Sequence, residues 1–298
     1  MIFSGRSNIK LAEELARATG LALGNIVIEK FSDGEIYVRI KEDVKDQVIF
    51  VFQSLCHPAS ENLIELLIII DALKRLSPKK IVAILPFYAY RRQERVLEKG
   101  ESITASLVAK LLETAGIDEA VLVDIHSDKI LDFFTVPVIS LEVFDLFADY
   151  FTKLKIDNAL VVSPDHGALA DAQRLAGKLN LRAVSIVKKR DIHDAVALMV
   201  LEDDVTGKNI FMIDDEIDTA GTISRAAELL KSKGAGDIYI GCTHSIFSGP
   251  AIERLTQAPI KQIITTNTIP VPESKMMEKL SVLSIAPVLA RVINEMKK

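Results

Sequence analysis

Short apolar runs alternate with amphipathic stretches along most of the chain. Runs of four to six residues that are rich in Val, Ile and Leu predict buried strands, and apolar positions spaced three and four apart predict helices. Such alternation is typical of a mostly parallel sheet flanked by helices. The predicted strands cover 48–52, 81–85, 120–125, 136–139, 159–162, 183–187, 209–213 and 238–242, and the predicted helices cover 60–76, 104–115, 142–154, 168–179 and 222–233.

The two halves of the chain echo each other. The strand pattern 47–52, a helix and the stretch 73–84 are followed much later by 208–213, another helix and 230–240 with similar residues. Such internal similarity predicts a duplicated domain. We place the boundary near Ser140, giving domains 1–140 and 141–298. The C-terminal helical pattern 285–296 could pack on either half and is assigned here to the second.

Composition narrows the class of protein. The chain has 298 residues, a net charge of −5, 6% aromatic residues and no Trp, so a basic surface for nucleic acid is not expected. Its two cysteines, Cys56 and Cys242, cannot form a disulfide framework. The longest apolar stretch, 63–73, contains Glu65 and Asp71 and is too short to span a bilayer. With no signal-peptide pattern at the start, we expect a cytoplasmic protein without a membrane partner.

One strand-to-helix transition stands out because polar residues follow a strand directly. The apolar run 210–213 is followed by Asp214 and Asp215, then by Asp218-Thr-Ala-Gly-Thr222 and the helical pattern 223–231. The pattern predicts a buried strand that ends at Ile213, a tight turn and a helix start. Ligands of parallel α/β sheets bind at this end of the strands.

The residues of this turn suit a sugar phosphate. Hydroxyls of Thr219 and Thr222 and the free N–H groups of a helix start would bind a phosphate, and Gly221 lets the backbone approach it. Two carboxylates would repel a phosphate but can accept hydrogen bonds from the hydroxyls of a sugar. An ordinary capped turn with surface acids is the alternative.

Two stretches in the first half carry further candidate chemistry. Phe31-Ser-Asp-Gly-Glu35 precedes an alternating strand, 36–40, and its composition alone favours a simple hairpin turn. The stretch 86–95 gathers three arginines and a glutamine beside aromatic residues. One arginine can bind two oxygens of a phosphate bidentately, although a solvated basic loop is an equally good interpretation.

Two more candidates follow predicted strands. Asp124-Ile-His-Ser-Asp128 places His126 among carboxylates, and Ser163-Pro-Asp-His-Gly167 offers Asp165, so the two stretches could hold a divalent cation carried by nucleotide phosphates. A single histidine is more often structural. The basic run Val187-Lys-Lys-Arg190 could neutralise a transferring phosphoryl group, or it could be a solvated turn.

These motifs, in this order, carry a resemblance to a known family. The loop 214–222 resembles the phosphoribosyl-diphosphate loop of the type I phosphoribosyltransferase fold. Over nearly the whole chain the sequence resembles ribose-phosphate diphosphokinase, also called phosphoribosyl pyrophosphate synthetase. The resemblance implies a tandem of two type I phosphoribosyltransferase-like α/β domains. In the first half the corresponding stretch, 54–60, lacks the acids and the Thr-Ala-Gly-Thr turn, so we expect that only the second half has kept the sugar-phosphate site.

The resemblance also implies roles for individual residues. It implies ATP and ribose 5-phosphate as substrates, Mg²⁺ as cofactor and a homo-oligomer in which a neighbouring subunit supplies the turn at Phe31. By residue, it implies ATP contacts at Phe31, Asp33, Gly34, Glu35, Arg92 and Gln93; Mg²⁺ near His126 and Asp165; catalysis by Lys188 and Arg190; and ribose 5-phosphate binding at Arg190, Asp214, Asp215, Asp218, Thr219, Ala220, Gly221 and Thr222.

Three positions depart from the bacterial pattern of that family. Glu94 stands for Asp, Lys189 for Arg and Ser127 for Ala, and the short chain looks more like the archaeal branch. Two rival functions remain. One is a single-step phosphoribosyltransferase that consumes the activated sugar, and the other is a non-catalytic regulatory relative.

Overall fold

The computed structural model describes residues 1–165, 167–189 and 198–297. Up to residue 142, parallel-sheet strands alternate with helices, and a 3-10 helix covers Asp128–Phe133. The elements are β1 (Ile2–Ser4), α1 (Ile9–Thr19), β2 (Ile26–Lys30), β3 (Ile36–Ile40), β4 (Val48–Phe52), α2 (Ala59–Lys74), β5 (Lys80–Leu85), α3 (Thr104–Ala115), β6 (Glu119–Val123) and β7 (Val138–Leu141).

The rest of the chain repeats this alternation. A second 3-10 helix covers Glu273–Lys275. The other elements are α4 (Phe144–Leu154), β8 (Ala159–Ser163), α5 (Leu169–Leu179), β9 (Ala183–Ser185), β10 (Val187–Lys189), β11 (Leu198–Val200), β12 (Asn209–Ile217), α6 (Gly221–Ser232), β13 (Ile238–Ser245), α7 (Ala251–Gln257), β14 (Gln262–Thr266), β15 (Leu280–Leu283) and α8 (Ala286–Met296). No helix among the described residues is long and apolar enough to cross a membrane.

The two main sheets share one strand order. In the first, β1-β4-β5-β6-β7 are all parallel, and the second repeats this order as β8-β12-β13-β14-β15 with β9 added beside β8. Each half also carries a separate antiparallel pair before its central strand, β2–β3 in one and β10–β11 in the other. The predicted duplication of an α/β domain is confirmed.

Alternating side chains of β12 enter two different cores. Ile210 and Met212 belong to a cluster that includes Ile223 and Ala227 of α6, whereas Phe211 and Ile213 belong to a cluster with residues of α4 and α5. On that second face, the Phe211 ring stacks on Phe151 with centroids 4.4 Å apart. Apolar residues on both faces are expected of a central parallel strand covered by helices.

The chain divides into two compact units. The first comprises Met1–Glu142, Thr268–Pro270 and Ser284–Lys298, and the second comprises Val143–Asn267 and Val271–Leu283. The division lies two residues beyond the predicted boundary at Ser140.

The C-terminal helix belongs to the first unit, which corrects its assignment to the second domain. α8 packs against α1, and polar contacts fix both of its ends. The Ser284 hydroxyl donates to Oε2 of Glu14 at 2.5 Å, and Nζ of Lys297 donates to the Thr19 carbonyl at 2.8 Å. The apolar face of α8 includes the fully buried Leu289. The sequence could not identify the partner of this face, because the hydrophobic pattern of one helix does not reveal which surface packs against it.

The packing of α8 on α1 predicts which part of the protein a destabilising substitution in α8 affects. Leu289→Ala should lower the free energy of unfolding by about 2–5 kcal/mol, because a fully buried leucine leaves a cavity. Hydrogen exchange should accelerate in α1 and β1 while the amides of β12 and β13 keep their protection. Exposed Arg291 on the same helix provides the control, Arg291→Ala. Loss of protection confined to the second unit would contradict the assignment.

Candidate active site

Asp214 and Asp215 of the predicted loop lie on a paired strand rather than on a turn. β12 does not end at Ile213, as predicted, but continues to Ile217. β13 is long enough to pair with this extension, with Asp214 opposite Cys242 and Ile217 opposite Ser245, whereas pairing with β8 ends at Met212. The extension therefore projects beyond one neighbour and is held by the other, and a sequence pattern that stops at the last apolar residue cannot detect it.

The turn after β12 is braced by the segment that follows β13. The backbone N–H of Ser248 donates to the Asp218 carbonyl at 3.0 Å, and the Ser248 hydroxyl donates to the Asp218 carboxylate. Nη1 of Arg254 donates to the Thr219 carbonyl at 3.0 Å. Sequence reasoning missed Ser248 and Arg254, because neither belongs to a motif and both are distant in sequence from the loop.

The turn opens directly into α6. Ala220 adopts a left-handed conformation with φ of 61°, and α6 begins at Gly221 without a side-chain cap. The N–H groups of the first helical turn lack intrahelical acceptors, so this helix start favours an anion. Thr222 is half-buried and Thr219 is exposed. The predicted placement of the Asp-Thr-Ala-Gly-Thr stretch at a helix start is confirmed.

Crowded carboxylates give this site unusual electrostatics. Burial raises the pKa of Asp214 well above its usual range, and the carboxylates of Asp215 and Asp165 raise it further. Oδ1 of Asp214 accepts a hydrogen bond from the Asp215 backbone at 3.0 Å. The opposing thiol is not a nucleophile, because burial raises the pKa of Cys242 to about 12. Three carboxylates thus favour a partner that donates hydrogen bonds or carries positive charge.

Asp165 also shapes the turn before α5. Its Oδ1 accepts backbone hydrogen bonds from Gly167 at 3.0 Å and Ala168 at 3.3 Å. Asp165, Asp214, Asp215 and the loop 218–222 all belong to the second unit. The structure thus brings Asp165 into the electrostatic field of Asp214, a proximity that sequence spacing did not reveal.

The Phe31–Glu35 stretch forms the tip of an antiparallel hairpin between β2 and β3. The Phe31 N–H donates to the Glu35 carbonyl at 2.9 Å, and Oδ1 of Asp33 accepts the Glu35 N–H at 3.1 Å. Gly34 has φ of 95°, a conformation that favours glycine. Phe31 is 56% exposed and meets Tyr37 edge-on at 5.8 Å. The prediction of a simple hairpin turn is therefore confirmed for the backbone conformation, and this conformation does not exclude a binding role.

The arginine-rich stretch contains one buried and one exposed arginine at adjacent positions. Arg91 is only 2% exposed, lies over the Phe87 ring at 5.1 Å and donates from Nη1 to the Asp124 carbonyl at 2.9 Å. Arg92 and Gln93 are exposed. Oε1 of Gln93 accepts the Thr104 hydroxyl at 2.6 Å. Arg91, which sequence reasoning did not single out, thus ties this loop to the segment that carries His126.

The structure describes both residues that the resemblance implies as Mg²⁺ ligands. His126 is exposed in the first unit, just after β6, and Asp165 is half-buried in the second. Within residues 1–165, 167–189 and 198–297, no group of three or more His, Cys, Asp or Glu side chains is arranged to hold a metal ion. Mg²⁺ commonly takes one or two carboxylates and completes its shell with substrate phosphates and water, and the half-buried carboxylate of Asp165 is a ligand of this chemical type.

The predicted catalytic cations are only partly within the described residues. The backbone of Lys188 lies in β10, opposite Met199 of β11. Arg190 lies outside the described residues, which resume at Leu198.

Comparison with known proteins identifies relatives over the whole chain. Residues 1–116 match the family described as the N-terminal domain of ribose phosphate pyrophosphokinase, and residues 185–298 match the phosphoribosyl synthetase-associated domain. Ribose-phosphate pyrophosphokinase of Caldanaerobacter subterraneus is 46% identical over 98% of this chain and 93% of its own length. The Fusobacterium nucleatum protein of the same name is 44% identical with the same coverage.

A solved structure supports the same relationship. The crystal structure of phosphoribosylpyrophosphate synthetase from Mycobacterium smegmatis is 41% identical, covers 100% of this chain and 98% of its own, and superposes with a TM-score of 0.94. Agreement of fold, motifs and sequence over the full length leads to one conclusion. The chain belongs to the ribose-phosphate pyrophosphokinase family.

Proposed function

We propose that the protein transfers the β,γ-diphosphoryl group of Mg·ATP to the anomeric hydroxyl of ribose 5-phosphate, giving 5-phosphoribosyl 1-diphosphate and AMP. The observation that carries this proposal is the β12–α6 connection, where crowded carboxylates directly precede an uncapped helix start. Such a connection suits a ligand with hydroxyl donors at one end and a phosphate at the other.

In this proposal the sugar phosphate spans the connection. Its phosphate accepts hydrogen bonds from the N–H groups at the start of α6 and from the hydroxyls of Thr219 and Thr222. Its ring hydroxyls donate to Asp214 and Asp215, which relieves the repulsion between these carboxylates. Asp218 stabilises the turn, since its carboxylate accepts a hydrogen bond from the Ser248 hydroxyl. Ala220 and Gly221 contribute backbone rather than side chains.

The first unit provides the residues proposed to bind ATP. Exposed Arg92 can bind two oxygens of a phosphate bidentately. Gln93, whose Oε1 accepts a hydrogen bond from Thr104, can present its amide nitrogen to the nucleotide. The hairpin tip with Phe31, Asp33, Gly34 and Glu35 is proposed to serve the ATP site of a neighbouring copy. The 56% exposure of Phe31 suits a ring that contacts a partner and an adenine.

The proposed step is an in-line displacement at the β-phosphorus. A bond forms between the anomeric oxygen and the β-phosphorus, the bond to the α,β-bridging oxygen breaks, and AMP leaves with that oxygen. The hydroxyl proton must pass to a base, and the raised pKa of Asp214 suits it to accept a proton. Alignment and charge neutralisation supply most of the catalysis in such reactions.

Positive charge is proposed to come from three sources. Mg²⁺ would be held by Asp165 and His126 together with the ATP phosphates, and it would neutralise the charge that these phosphates carry. Lys188 and Arg190 are proposed to stabilise the charge that develops in the transition state, and Arg190 also to contact the sugar phosphate. Cytoplasmic localisation and assembly into a homo-oligomer remain part of the proposal.

Phosphorus NMR of the purified protein tests the reaction type. With ATP, Mg²⁺ and ribose 5-phosphate, the proposal predicts AMP and a new signal from a sugar-linked diphosphate. Formation of ADP would instead indicate an ordinary kinase. Turnover of the activated sugar with a nucleobase and without ATP would favour a single-step phosphoribosyltransferase, and absence of any reaction by folded protein would favour a regulatory relative.

The proposed roles divide catalysis from substrate binding. Lys188→Ala should lower kcat on the order of 100-fold or more with little change in KM for ribose 5-phosphate, because its charge acts in the transition state. Thr222→Ala should instead raise that KM roughly 10-fold through a lost hydrogen bond to a charged group. Steady-state kinetics measure both, with Thr256→Ala on α7 as a control. Equal effects on kcat and KM in the two variants would contradict the division.

A third prediction concerns the stability of the ligand-free protein. The pKa of Asp214 is raised on folding, so stability falls as the pH rises through that pKa. Asp214→Asn should therefore raise the thermal midpoint at neutral pH, and the gain should vanish once the pH falls below the unfolded-state pKa of aspartate, where the carboxyl is protonated in both states. The same variant should lose ribose 5-phosphate binding.

Thermal unfolding in the presence of a chelator, followed from acid to neutral pH, measures this effect. Asp204→Asn is the control, because a backbone hydrogen bond from Thr206 lowers the pKa of Asp204, and its replacement should give no gain at neutral pH. An unchanged or lower midpoint for Asp214→Asn at neutral pH would show that the Asp214 carboxylate is not destabilising.

A further inference from the structure

Two arginines outside the predicted loop converge on its helix start. A Cβ added to Gly221 would lie 3.4 Å from Nη1 of Arg254 on α7 and 3.9 Å from Nη2 of Arg225 on α6. Since side chains of a helix lean toward its N-terminus, this empty position lies at the end of α6 where the N–H groups face outward. Both guanidinium groups therefore border the space left open by the glycine.

Both arginines are exposed. Among the side chains that the structure describes, no carboxylate lies within ion-pair distance of Arg225 or Arg254. Arg254 uses one N–H donor to bond the Thr219 carbonyl. Because a guanidinium has five N–H donors, others remain for a ligand. Two exposed cations beside a helix start reinforce its attraction for an anion.

Arg254 also stabilises the shape of the turn. It donates to the carbonyl of Thr219 at 3.0 Å, and the next residue, Ala220, has the left-handed backbone that redirects the chain into α6. The Ser248 backbone holds the other side of the turn through the Asp218 carbonyl at 3.0 Å. The segment from Ser248 to Arg254 therefore clamps the backbone that presents the N–H groups.

We propose that Arg225 and Arg254 form a cationic wall of the phosphate subsite, with Arg254 also positioning the turn through Thr219. The ligand is the phosphate monoester end of the sugar phosphate, so this inference rests on the proposed function of the loop. The wall deepens that function, because it adds affinity for the phosphate without contacting the reacting anomeric hydroxyl. Its effect belongs to substrate binding rather than to the chemical step.

Calorimetric titration of the full-length protein with ribose 5-phosphate, without ATP, tests the proposal. Arg225→Gln should weaken binding about 3-fold, as expected for an exposed ion pair, and Arg254→Gln about 10-fold or more, because a positioned hydrogen bond to a charged group is also lost. Arg225→Lys should recover most of the affinity. Lys233→Gln removes the same charge at the opposite end of α6 and should change affinity less than 2-fold.

Salt and kinetics separate a charge effect from a structural one. The affinity of the wild type should fall with added salt, and less steeply in each glutamine variant, because salt screens exposed charges. In turnover assays both variants should raise KM for ribose 5-phosphate while kcat and KM for ATP stay near the wild-type values.

Three outcomes would overturn the proposal. Binding by both glutamine variants that matches Lys233→Gln would show that the arginines do not serve the phosphate. A loss confined to Arg254→Gln, accompanied by a lower thermal midpoint and an unchanged salt dependence, would reduce Arg254 to a structural clamp. If the wild type itself failed to bind ribose 5-phosphate, the assignment of the loop would fall together with the wall.

Discussion

The strand pairing between β12 and β13 beyond the last apolar residue is the constraint on which the site depends. Without its partner, the segment from Asp214 to Ile217 would be a free loop, and charge repulsion would separate its carboxylates. Pairing with β13 fixes Asp214 opposite Cys242, in a place where burial and neighbouring acids raise its pKa. The folded protein thus keeps an unfavourable arrangement of charge that a hydroxyl-rich ligand relieves, as functional sites commonly do.

The same connection joins two opposite electrostatic environments within a few residues. The end of β12 concentrates negative charge, whereas the start of α6 offers N–H groups and the guanidinium groups of Arg225 and Arg254. A ligand with hydroxyls at one end and a phosphate at the other matches this polarity in only one orientation. The bonds from Ser248 and Arg254 to the turn maintain the spacing between these environments, so orientation is built into the backbone before a ligand arrives.

Local patterns in the sequence predicted much of the fold. β4 and α3 agree with their predicted bounds, and the duplication was visible because the two halves kept similar strand and helix patterns. α1 was missed although Asn8 caps its start and Gly20 ends it. Features that depend on distant segments could not be predicted. Only tertiary structure shows that α8 packs on α1, that β13 extends the pairing of β12, or that Arg254 reaches Thr219.

The central claim is transfer at the β-phosphorus, and the fate of the oxygen that bridges the α- and β-phosphorus atoms of ATP tests it most directly. ATP labelled with ¹⁸O at that position would be incubated with Mg²⁺ and ribose 5-phosphate, and the products examined by phosphorus NMR. Displacement at the β-phosphorus predicts that the label remains with AMP and is absent from 5-phosphoribosyl 1-diphosphate. Recovery of the label in the diphosphate, or in ADP, would contradict the account.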